Sequence, residues 1–335
     1  MKKKTIGIIG GGFIGAVTAI HLARYSKTPL KIIIIEPSKT IAHGVAFSTQ
    51  DDDHRLNGPS NIQFLYPEDI DSFTKWLENS GTLLKDLSAE INDGRIYARR
   101  RDFGRYVEHE LFNHTAKNAS NSIISHYQDI AVSISQNKNA WDIKFKQLDS
   151  IRVDKVIITP CNFIPSIPKE LTSISRHQSF IANPWSYNFS YKIKPDARVL
   201  IIGTGLTMAD IAITLLRDHK RNNITAISRR GLLPQRQRQT PPREPIWDAL
   251  MRPIPNFIEN HGLQNSVFEI FRIFRKNVAE LKGKNIEWQV AFDDVRDAAY
   301  KLWPSLSLKE KEKYFRHLSS WYESHRFRLP PQTAE

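Results

Sequence analysis

Three glycines near the N-terminus have the spacing of a turn that leads from a strand into a helix. They are Gly10, Gly12 and Gly15, and Glu36 ends the isoleucine-rich run that follows, 21 positions after Gly15. Glycine permits a tight turn and lets the backbone approach a pyrophosphate, whose oxygens can accept from amides at the helix N-terminus. A carboxylate at the end of the second strand can bind both hydroxyls of a ribose. The spacing therefore predicts a dinucleotide site, with a purely structural glycine turn as the alternative; the predicted site comprises Gly10, Gly12, Phe13, Ile14, Gly15 and Glu36.

A second motif of the same kind begins at Gly203, although Met208 stands where the third glycine would be. From Gly203 to Arg229 is 26 positions, as many as from the first glycine of the N-terminal motif to its glutamate. The second motif thus carries arginine where the first carries an acid. A guanidinium holds a 2′-phosphate that a carboxylate would repel, so the motif predicts NADPH over NADH, with two solvated surface arginines as the alternative. This predicted site comprises Gly203, Gly205, Leu206, Thr207, Arg229 and Arg230.

Other chemistries are not supported by the residue patterns. The 11 histidines show no metal-ligand spacing, and His109-Glu110 misses the H-E-x-x-H pattern because position 113 is Asn113. The sequence has no G-x-S-x-G elbow and no P-loop lysine motif. Cys161, beside Pro160, is better explained as a small buried residue than as a reactive thiol. We therefore predict no metal site and identify no catalytic side chain.

Both glycine motifs require a strand before them, a helix after them and a second strand beyond. Apolar runs predict strands at 5–9 and 31–35, and Phe13, Val17 and Ile20 recur at helical spacing between them. The second motif has a strand at 199–202, a helix at 207–216 and a strand at 224–227. Two βαβ units with parallel sheets follow, so the expected fold class is α/β with two Rossmann-like domains.

The remaining segments predict connecting structure. Weak periodicity and frequent turn residues over 46–105 indicate long loops around a short helix at 71–78. Alternation at 141–145 and an apolar run at 156–158 suggest a small antiparallel meander. Beyond 255 the chain is expected to be helical: Ser307 and Glu310 form a capping box before one helix that carries Tyr314, Leu318 and Trp321. We expect the tail 329–335 to be frayed.

Composition limits the class of protein. With 335 residues, 25% charged and 40% hydrophobic, the chain has the usage of a globular protein of about two domains. A single cysteine excludes an intrachain disulfide and agrees with a cytoplasmic location. The glycines at 10–12 argue against reading the lysine-led N-terminus as a secretory signal, and no apolar run is long enough to span a membrane. The formal charge of +13 suggests a polyanion or an anionic ligand as partner.

At this point the sequence resembles a known group, the bacterial FAD-NAD(P)-binding proteins, which are related to flavin monooxygenases and have two dinucleotide-binding domains. The resemblance covers nearly the whole chain and includes both glycine motifs. The segments that carry it are 10–15, 44–47, 56–59, 73–77, 100–106, 183–185, 203–210, 228–234 and 321–328.

The resemblance implies a glutathione-reductase-like fold in which an NADP domain is inserted into an FAD domain. FAD would be held by residues 1–180, with Glu36 on the adenosine ribose and the loop around Asn57 facing the flavin. NADPH would be held by residues 181–300, and 301–335 would be a helical return segment. The implied activity is an FAD-dependent, NADPH-oxidising, monooxygenase-like oxidoreductase that acts on a small molecule; the substrate and the oligomeric state do not carry over.

Two departures from that group leave alternatives open. Relatives commonly have a small-Thr-Gly turn where this chain has Thr159-Pro160-Cys161, which is stiffer and bulkier. No counterpart of their final flavin-contacting segment is found before Glu335, so we expect a chain truncated at its C-terminus. A non-catalytic protein that still binds FAD or NAD(P) is therefore the alternative function. Nucleic-acid binding, suggested by five arginines and no acid over 229–243, is the less favoured alternative, since a site for an anionic cofactor would also be basic.

Overall fold

The computed structural model describes residues 3–160, 165–185, 189–219, 223–241 and 246–335. Contacts divide the chain into two units. The first contains residues 1–54, 63–87 and 98–193, and the second contains 55–62, 88–97 and 194–335. Two short loops from the N-terminal half, 55–62 and 88–97, therefore belong with the C-terminal half.

The first unit is built on a parallel sheet and an antiparallel meander. The strands are β1 (Lys4–Ile9), β2 (Leu30–Ile35), β3 (Ile123–Tyr127), β4 (Ala131–Asn137), β5 (Ala140–Phe145), β6 (Ile151–Val153) and β7 (Lys155–Ile158). The parallel sheet has the order β3-β2-β1-β7, and the meander has the order β4-β5-β6. The helices are α1 (Phe13–Tyr25), α2 (Gly44–Phe47), α3 (Ser72–Asn79) and α4 (Arg100–Ala116).

The isoleucines of β2 explain why this sheet forms the core of the first unit. Ile32, Ile33, Ile34 and Ile35 are all 0–2% exposed, so the strand is buried on both faces. A strand that is covered on both faces has apolar side chains at successive positions, as β2 does. β2 pairs in parallel with β1, placing Gly7 beside Ile33, and the meander residues Ile143 and Val153 pack on the same cluster.

The run at 156–158 corrects one expectation from the sequence. We expected it to join the meander, whereas β7 pairs in parallel with β1, with Ile8 beside Ile157. A short apolar run does not reveal its partner strand, because pairing is decided by where the chain returns. β7 therefore ends at the same edge as β1, which places Thr159 next to the first glycine turn.

The second unit contains the second βαβ arrangement and a helical region. The strands β8 (Val199–Ile202) and β9 (Ile224–Ile227) pair in parallel on either side of α5 (Leu206–His219). The helices that follow are α6 (Ile246–Met251), α7 (Asn256–His261), α8 (Val267–Gly283), α9 (Trp288–Ser305), α10 (Leu308–His317), α11 (Ser319–Arg326) and α12 (Pro331–Ala334). Among the described residues, no helix combines the length and the apolar character that a membrane crossing needs.

Two expectations for the C-terminal region are wrong. The single helix through Trp321 is interrupted at Leu318, the residue between α10 and α11. Ser307 does cap α10 by accepting from the Glu310 amide at 3.3 Å, but the Glu310 carboxylate accepts from the Val267 amide at 2.8 Å, on another helix. The tail is not frayed either, because the Leu329 amide donates to the Gln235 carbonyl at 2.8 Å. The order of the tail comes from a contact between segments distant in sequence.

The buried sheet gives a direct test of the first unit. We expect Ile34→Ala to reduce the free energy of unfolding by about 2–5 kcal/mol, because it removes a side chain that is 0% exposed and leaves a cavity. Ile123→Ala on the neighbouring strand is the matched control, since Ile123 is 53% exposed and its loss should cost within about 0.5 kcal/mol. Denaturant unfolding of the full chain measures both, and equal effects would contradict the burial of β2.

Candidate functional site

The first glycine turn is a close meeting of β1, β7 and α1. Gly10 has φ +107°, a conformation that residues with a side chain rarely adopt, and its amide donates to the Ile35 carbonyl at 2.9 Å. A Cβ on Gly10 would lie 2.0 Å from the Thr159 carbonyl oxygen. Gly10 is thus required by backbone conformation and by the neighbouring strand end.

The third glycine of this motif closes the helix onto the same turn. A Cβ on Gly15 would lie 2.0 Å from the Gly10 carbonyl oxygen. The hydroxyl of Thr159 donates to that same oxygen at 2.8 Å. The Thr159-Pro160-Cys161 departure therefore retains the threonine as a clamp on the glycine turn, while Cys161 lies outside the described residues.

The N-terminus of α1 presents backbone amides at this turn. Gly12 precedes the helix with φ −69° and ψ −166°, and no side chain caps the first turn. The amides of Phe13 and Ile14 have no acceptor within the helix, which is the usual state of a helix N-terminus. The Phe13 ring packs on Phe47 and Phe103, with ring centroids 5.7 and 5.6 Å away. Phe13 thus anchors the helix start, and its amide is the part available to an anion.

A second loop lies against this helix start. Gly44, with φ +57°, begins α2, and a Cβ on Gly12 would lie 3.4 Å from the Gly44 Cα. Gly104 of α4 allows the same loop to pack, because a Cβ there would lie 2.6 Å from the His43 Nδ1 atom. The 44–47 segment, singled out by the resemblance, is therefore part of the turn region.

Glu36 lies at the end of β2, half-buried beside the glycine turn. Its Oε2 accepts from the Gly11 amide at 2.9 Å, and its Oε1 accepts from the Ser38 amide at 3.1 Å. These two amides orient the carboxylate. Each oxygen keeps a further lone pair, so the carboxylate can still accept hydrogen bonds from hydroxyl groups of a ligand.

The second glycine turn reproduces the backbone geometry of the first. Gly203 has φ +114°, and its amide donates to the Ile227 carbonyl at 2.8 Å. The surroundings differ, because a Cβ on Gly203 or Gly205 would meet nothing within 4 Å. Leu206 and Thr207 form the first turn of α5, as the predicted site requires. This turn is therefore open on the side where the first one is closely packed.

Ser228, Arg229 and Arg230 follow β9 and are exposed. The Thr204 hydroxyl donates to the Ser228 Oγ at 2.8 Å, which ties the glycine turn to the start of the arginine pair. Arg230 donates to the Arg316 carbonyl at 3.4 Å, whereas Arg229 has no hydrogen-bond or ion-pair partner within the described part of the chain. Arg229 is therefore the freer of the two guanidiniums next to the turn.

Asn57 lies in the second unit, in a loop that ends in a short 3-10 turn, Ser60–Ile62. Its backbone carbonyl accepts from the Gln237 Nε2 atom at 2.7 Å. Its side-chain Oδ1 is buried and has no hydrogen-bond partner among the described residues. A buried carbonyl oxygen without a donor is costly, so this atom suits a ligand or water that donates to it.

A buried charged cluster in the second unit was not found from the sequence. Arg328 and Arg238 are 4% and 9% exposed and lie 3.0 and 3.7 Å from the carboxylate of Asp293 on α9. Arg328 also lies over the Trp288 ring, 5.3 Å from its centroid. No spacing in the sequence relates Arg238 to Asp293, because their contact depends on how the chain folds back. Arg238 belongs to the basic stretch 229–243, which suggests nucleic-acid binding. Because Arg238 is buried, it cannot contribute to a nucleic-acid-binding surface.

Asp294, next to this cluster, titrates abnormally. Burial, together with the neighbouring carboxylates of Asp297 and Asp293, raises the pKa of Asp294 to about 6. Between its ordinary pKa near 4 and about 6, the folded chain keeps a proton that the unfolded chain releases. Stability contributed by this group is therefore present at acidic pH and is lost as the pH rises through that window.

This titration predicts a pH-dependent gain in a variant. We expect Asp294→Asn to raise the free energy of unfolding at pH 7 by about 1–2 kcal/mol and to change it little at pH 4, because the amide cannot ionise. Asp196→Asn, at an exposed position of the same unit, is the control and should show no such pH dependence. Denaturant unfolding at both pH values measures these changes. If Asp294→Asn changed the free energy of unfolding equally at pH 4 and pH 7, the result would contradict the raised pKa.

Together, the parallel sheets and paired glycine turns define an α/β protein with two Rossmann-like units, which confirms the predicted fold class. Residues 7–163 match the model of a protein family described as FAD-NAD(P)-binding. This segment is therefore similar to FAD-NAD(P)-binding proteins, in agreement with the sequence resemblance. Comparison with curated proteins finds no match.

Two solved flavin-dependent hydroxylase structures are similar to this chain at low sequence identity. The ornithine N-hydroxylase of Kutzneria sp. 744, solved as a complex with reduced FAD, NADP+ and L-ornithine, is 13% identical with a TM-score of 0.53, and the match covers 98% of this chain and 71% of that one. The reduced ornithine hydroxylase of Pseudomonas aeruginosa is 16% identical with a TM-score of 0.49, covering 97% and 72% of the two chains. At 13% identity, the Kutzneria structure establishes a shared fold.

Proposed function

We propose that this protein is a monooxygenase-like, FAD-dependent oxidoreductase that oxidises NADPH and acts on a small-molecule substrate. One observation carries the proposal: two βαβ units have the same turn geometry but opposite charge at the matched position. The amides of Gly10 and Gly203 donate to the last residue of the next strand at 2.9 and 2.8 Å. Glu36 then follows one strand and Arg229 follows the other, so the two units suit two different nucleotides.

The residues of the first unit fit FAD. The amides of Phe13 and Ile14 would hold the pyrophosphate, since α1 offers unpaired N–H groups and a partial positive charge there. Gly12 and Gly44 lack side chains that would occupy the approach, and a Cβ on either would lie within 3.5 Å of the other's Cα. Glu36, held by the Gly11 amide, would orient the adenosine ribose. We infer that the FAD-binding domain lies within the 1–180 segment.

The residues of the second unit fit NADPH. Gly203 and Gly205 leave open space where a pyrophosphate would approach the amides of Leu206 and Thr207. Arg229, with Arg230 beside it, would hold the 2′-phosphate, since a guanidinium can donate two parallel hydrogen bonds to it. We infer that the NAD(P)-binding domain lies within 181–300 and that the protein works in the cytoplasm.

The chain's own residues position the two cofactors and select between them. FAD, when bound, would supply the redox chemistry, namely hydride acceptance from NADPH and electron transfer to an acceptor. Asn57 offers a buried, unpartnered carbonyl oxygen to a donor group, which agrees with the expected placement of its loop beside a ligand. The solved ornithine hydroxylase with FAD and NADP+ shares the fold, which supports the assignment of both cofactors but not of a substrate.

The visible spectrum of the purified protein tests this function. We expect flavin absorbance, either as purified or after addition of FAD, and loss of NADPH absorbance at a rate above a boiled control. FAD binding without NADPH oxidation would refute the oxidoreductase proposal and leave a binding protein. No flavin absorbance under either condition would refute the FAD site itself.

Arg229 gives a sharper test of the NADPH site. We expect Arg229→Gln to raise the KM for NADPH about tenfold or more and to leave the KM for NADH unchanged, because only NADPH carries the phosphate that the charge-assisted bonds would hold. Arg176→Gln, an exposed arginine of the first unit, is the matched control. Equal effects on the two nucleotides would contradict recognition of the 2′-phosphate. Initial rates at varied nucleotide concentration measure both constants.

A second candidate, a non-catalytic nucleotide-binding protein, is favoured by the reduced sheet of the second unit. In the described residues this sheet has only the strands β8 and β9. Leu200, Ile202 and Ile227 on these strands are 58%, 53% and 47% exposed, unlike the buried isoleucines of β2. A two-stranded sheet has little core of its own. Nucleotide binding measured by calorimetry, without NADPH oxidation, is the result that distinguishes this candidate.

A further inference from the structure

The helical part of the second unit forms a partly open apolar cavity that the proposed redox function does not use. Its volume is about 910 Å³, within the range of small-molecule sites. Residues of α8, α9, α10 and α11 form its walls. Leu318, at the break between α10 and α11, also lines it, so the interruption of the expected single helix bends the chain around this space.

The cavity has a buried floor and an aromatic mouth. Phe292 and Leu302 at the floor are 6% and 4% exposed. Trp303, Trp321 and Phe315 are 39%, 50% and 63% exposed. Exposed aromatic rings gathered around a concave apolar floor are unusual on a protein surface without a binding role. The flat faces of these rings favour a planar or aromatic ligand body, since such rings pack by stacking or edge-to-face contact.

Apart from tyrosine, the ionisable residues that line the cavity are arginine and histidine. Arg275 lies on α8 and is exposed, and His317 and His325 lie on α10 and α11. Aspartate and glutamate are absent from the described lining. Arg275 has no ion pair or hydrogen bond to another described residue. A guanidinium without a carboxylate partner beside an apolar space complements an anionic group.

A hydroxyl donor adds to this polar side of the lining. Burial, with the nearby groups of Tyr322 and Glu323, raises the pKa of Tyr314 to about 12. The Tyr314 hydroxyl therefore keeps its proton at neutral pH and can donate it in a hydrogen bond. Tyr314 thus adds a neutral hydroxyl to the residues that line the cavity.

We propose that this cavity binds a small aromatic acid, a molecule with a planar apolar body and one anionic group. The body would pack between the aromatic rings, and the anionic group would pair with Arg275 at the mouth. This site lies in the second unit and involves none of the residues assigned to FAD or NADPH. Its test is therefore independent of the proposed redox function.

Two fluorescent probes that share a ring system test the proposal. 1-Anilinonaphthalene-8-sulfonate carries one anionic group, and N-phenyl-1-naphthylamine is its neutral counterpart. We expect the sulfonate to bind the folded full-length protein saturably with one molecule per chain, measured by fluorescence titration and by calorimetry. Ala299→Phe, which places a ring in the cavity, should abolish binding of both probes, with circular dichroism and thermal unfolding showing that the variant is folded.

A second variant and its control test the preference of the cavity for an anionic ligand. Arg275→Gln should weaken binding of the sulfonate about fivefold and leave the neutral probe unchanged, since only the charge-assisted contact is removed. Lys276→Gln, the next position on α8, does not line the cavity and should change neither. The matched pair separates a specific contact from a general reduction of positive charge.

Three results would overturn the proposal. If Arg275→Gln left binding of the sulfonate unchanged, or weakened both probes equally, the guanidinium would not be selecting the anionic group. Binding that survives Ala299→Phe would place the probe elsewhere. If the protein elutes as a dimer that Ala299→Phe dissociates, and the sulfonate does not bind, then a second copy of the chain covers this face instead.

Discussion

The close approach of backbone atoms at the first glycine turn is the constraint on which the first unit depends. A Cβ on Gly10 or on Gly15 would lie 2.0 Å from a carbonyl oxygen. Strand β1, strand β7 and helix α1 can therefore meet only because both residues lack a side chain. Thr159 completes the contact by donating to the Gly10 carbonyl. The same packing fixes the start of α1, whose first amides have no acceptor within the helix. The glycines that packing requires at this turn are therefore also residues of the proposed FAD site.

The second unit repeats the turn but not its surroundings. Gly203 has nearly the same φ as Gly10, +114° against +107°, yet nothing lies within 4 Å of a would-be Cβ there. The glycines of the second turn are therefore explained by the backbone conformation and by the open space beside them, and not by contact with a neighbouring strand. The sheet behind the turn is correspondingly slight, with exposed apolar side chains such as Leu200. This contrast is why the first unit resembles a complete nucleotide-binding domain more closely than the second.

The basic excess of the chain divides among different physical roles. Arg238 and Arg328 are buried against Asp293, and Arg99 pairs with Asp86 and Asp52 at 3.3 Å, so these arginines stabilise structure. Arg229 and Arg275 remain exposed and without a partner among the described residues, one beside the second glycine turn and one at the mouth of an aromatic cavity. Net charge alone could not distinguish these groups, since burial and pairing depend on the fold. The exposed guanidiniums of Arg229 and Arg275 therefore suit small anions at two separate places.

The sequence by itself determined the two βαβ units, because their signals are local: apolar runs, glycine spacing and the residue that ends each second strand. β8 and β9 fall within the predicted bounds, and the matched spacing to Glu36 and Arg229 is visible without coordinates. Tertiary structure decided what depends on distant contacts. It placed β7 beside β1, broke the last long helix at Leu318, and brought Asn57 to Gln237 and Arg238 to Asp293. The aromatic cavity belongs to this second group, since its lining comes from four helices whose packing no periodicity specifies.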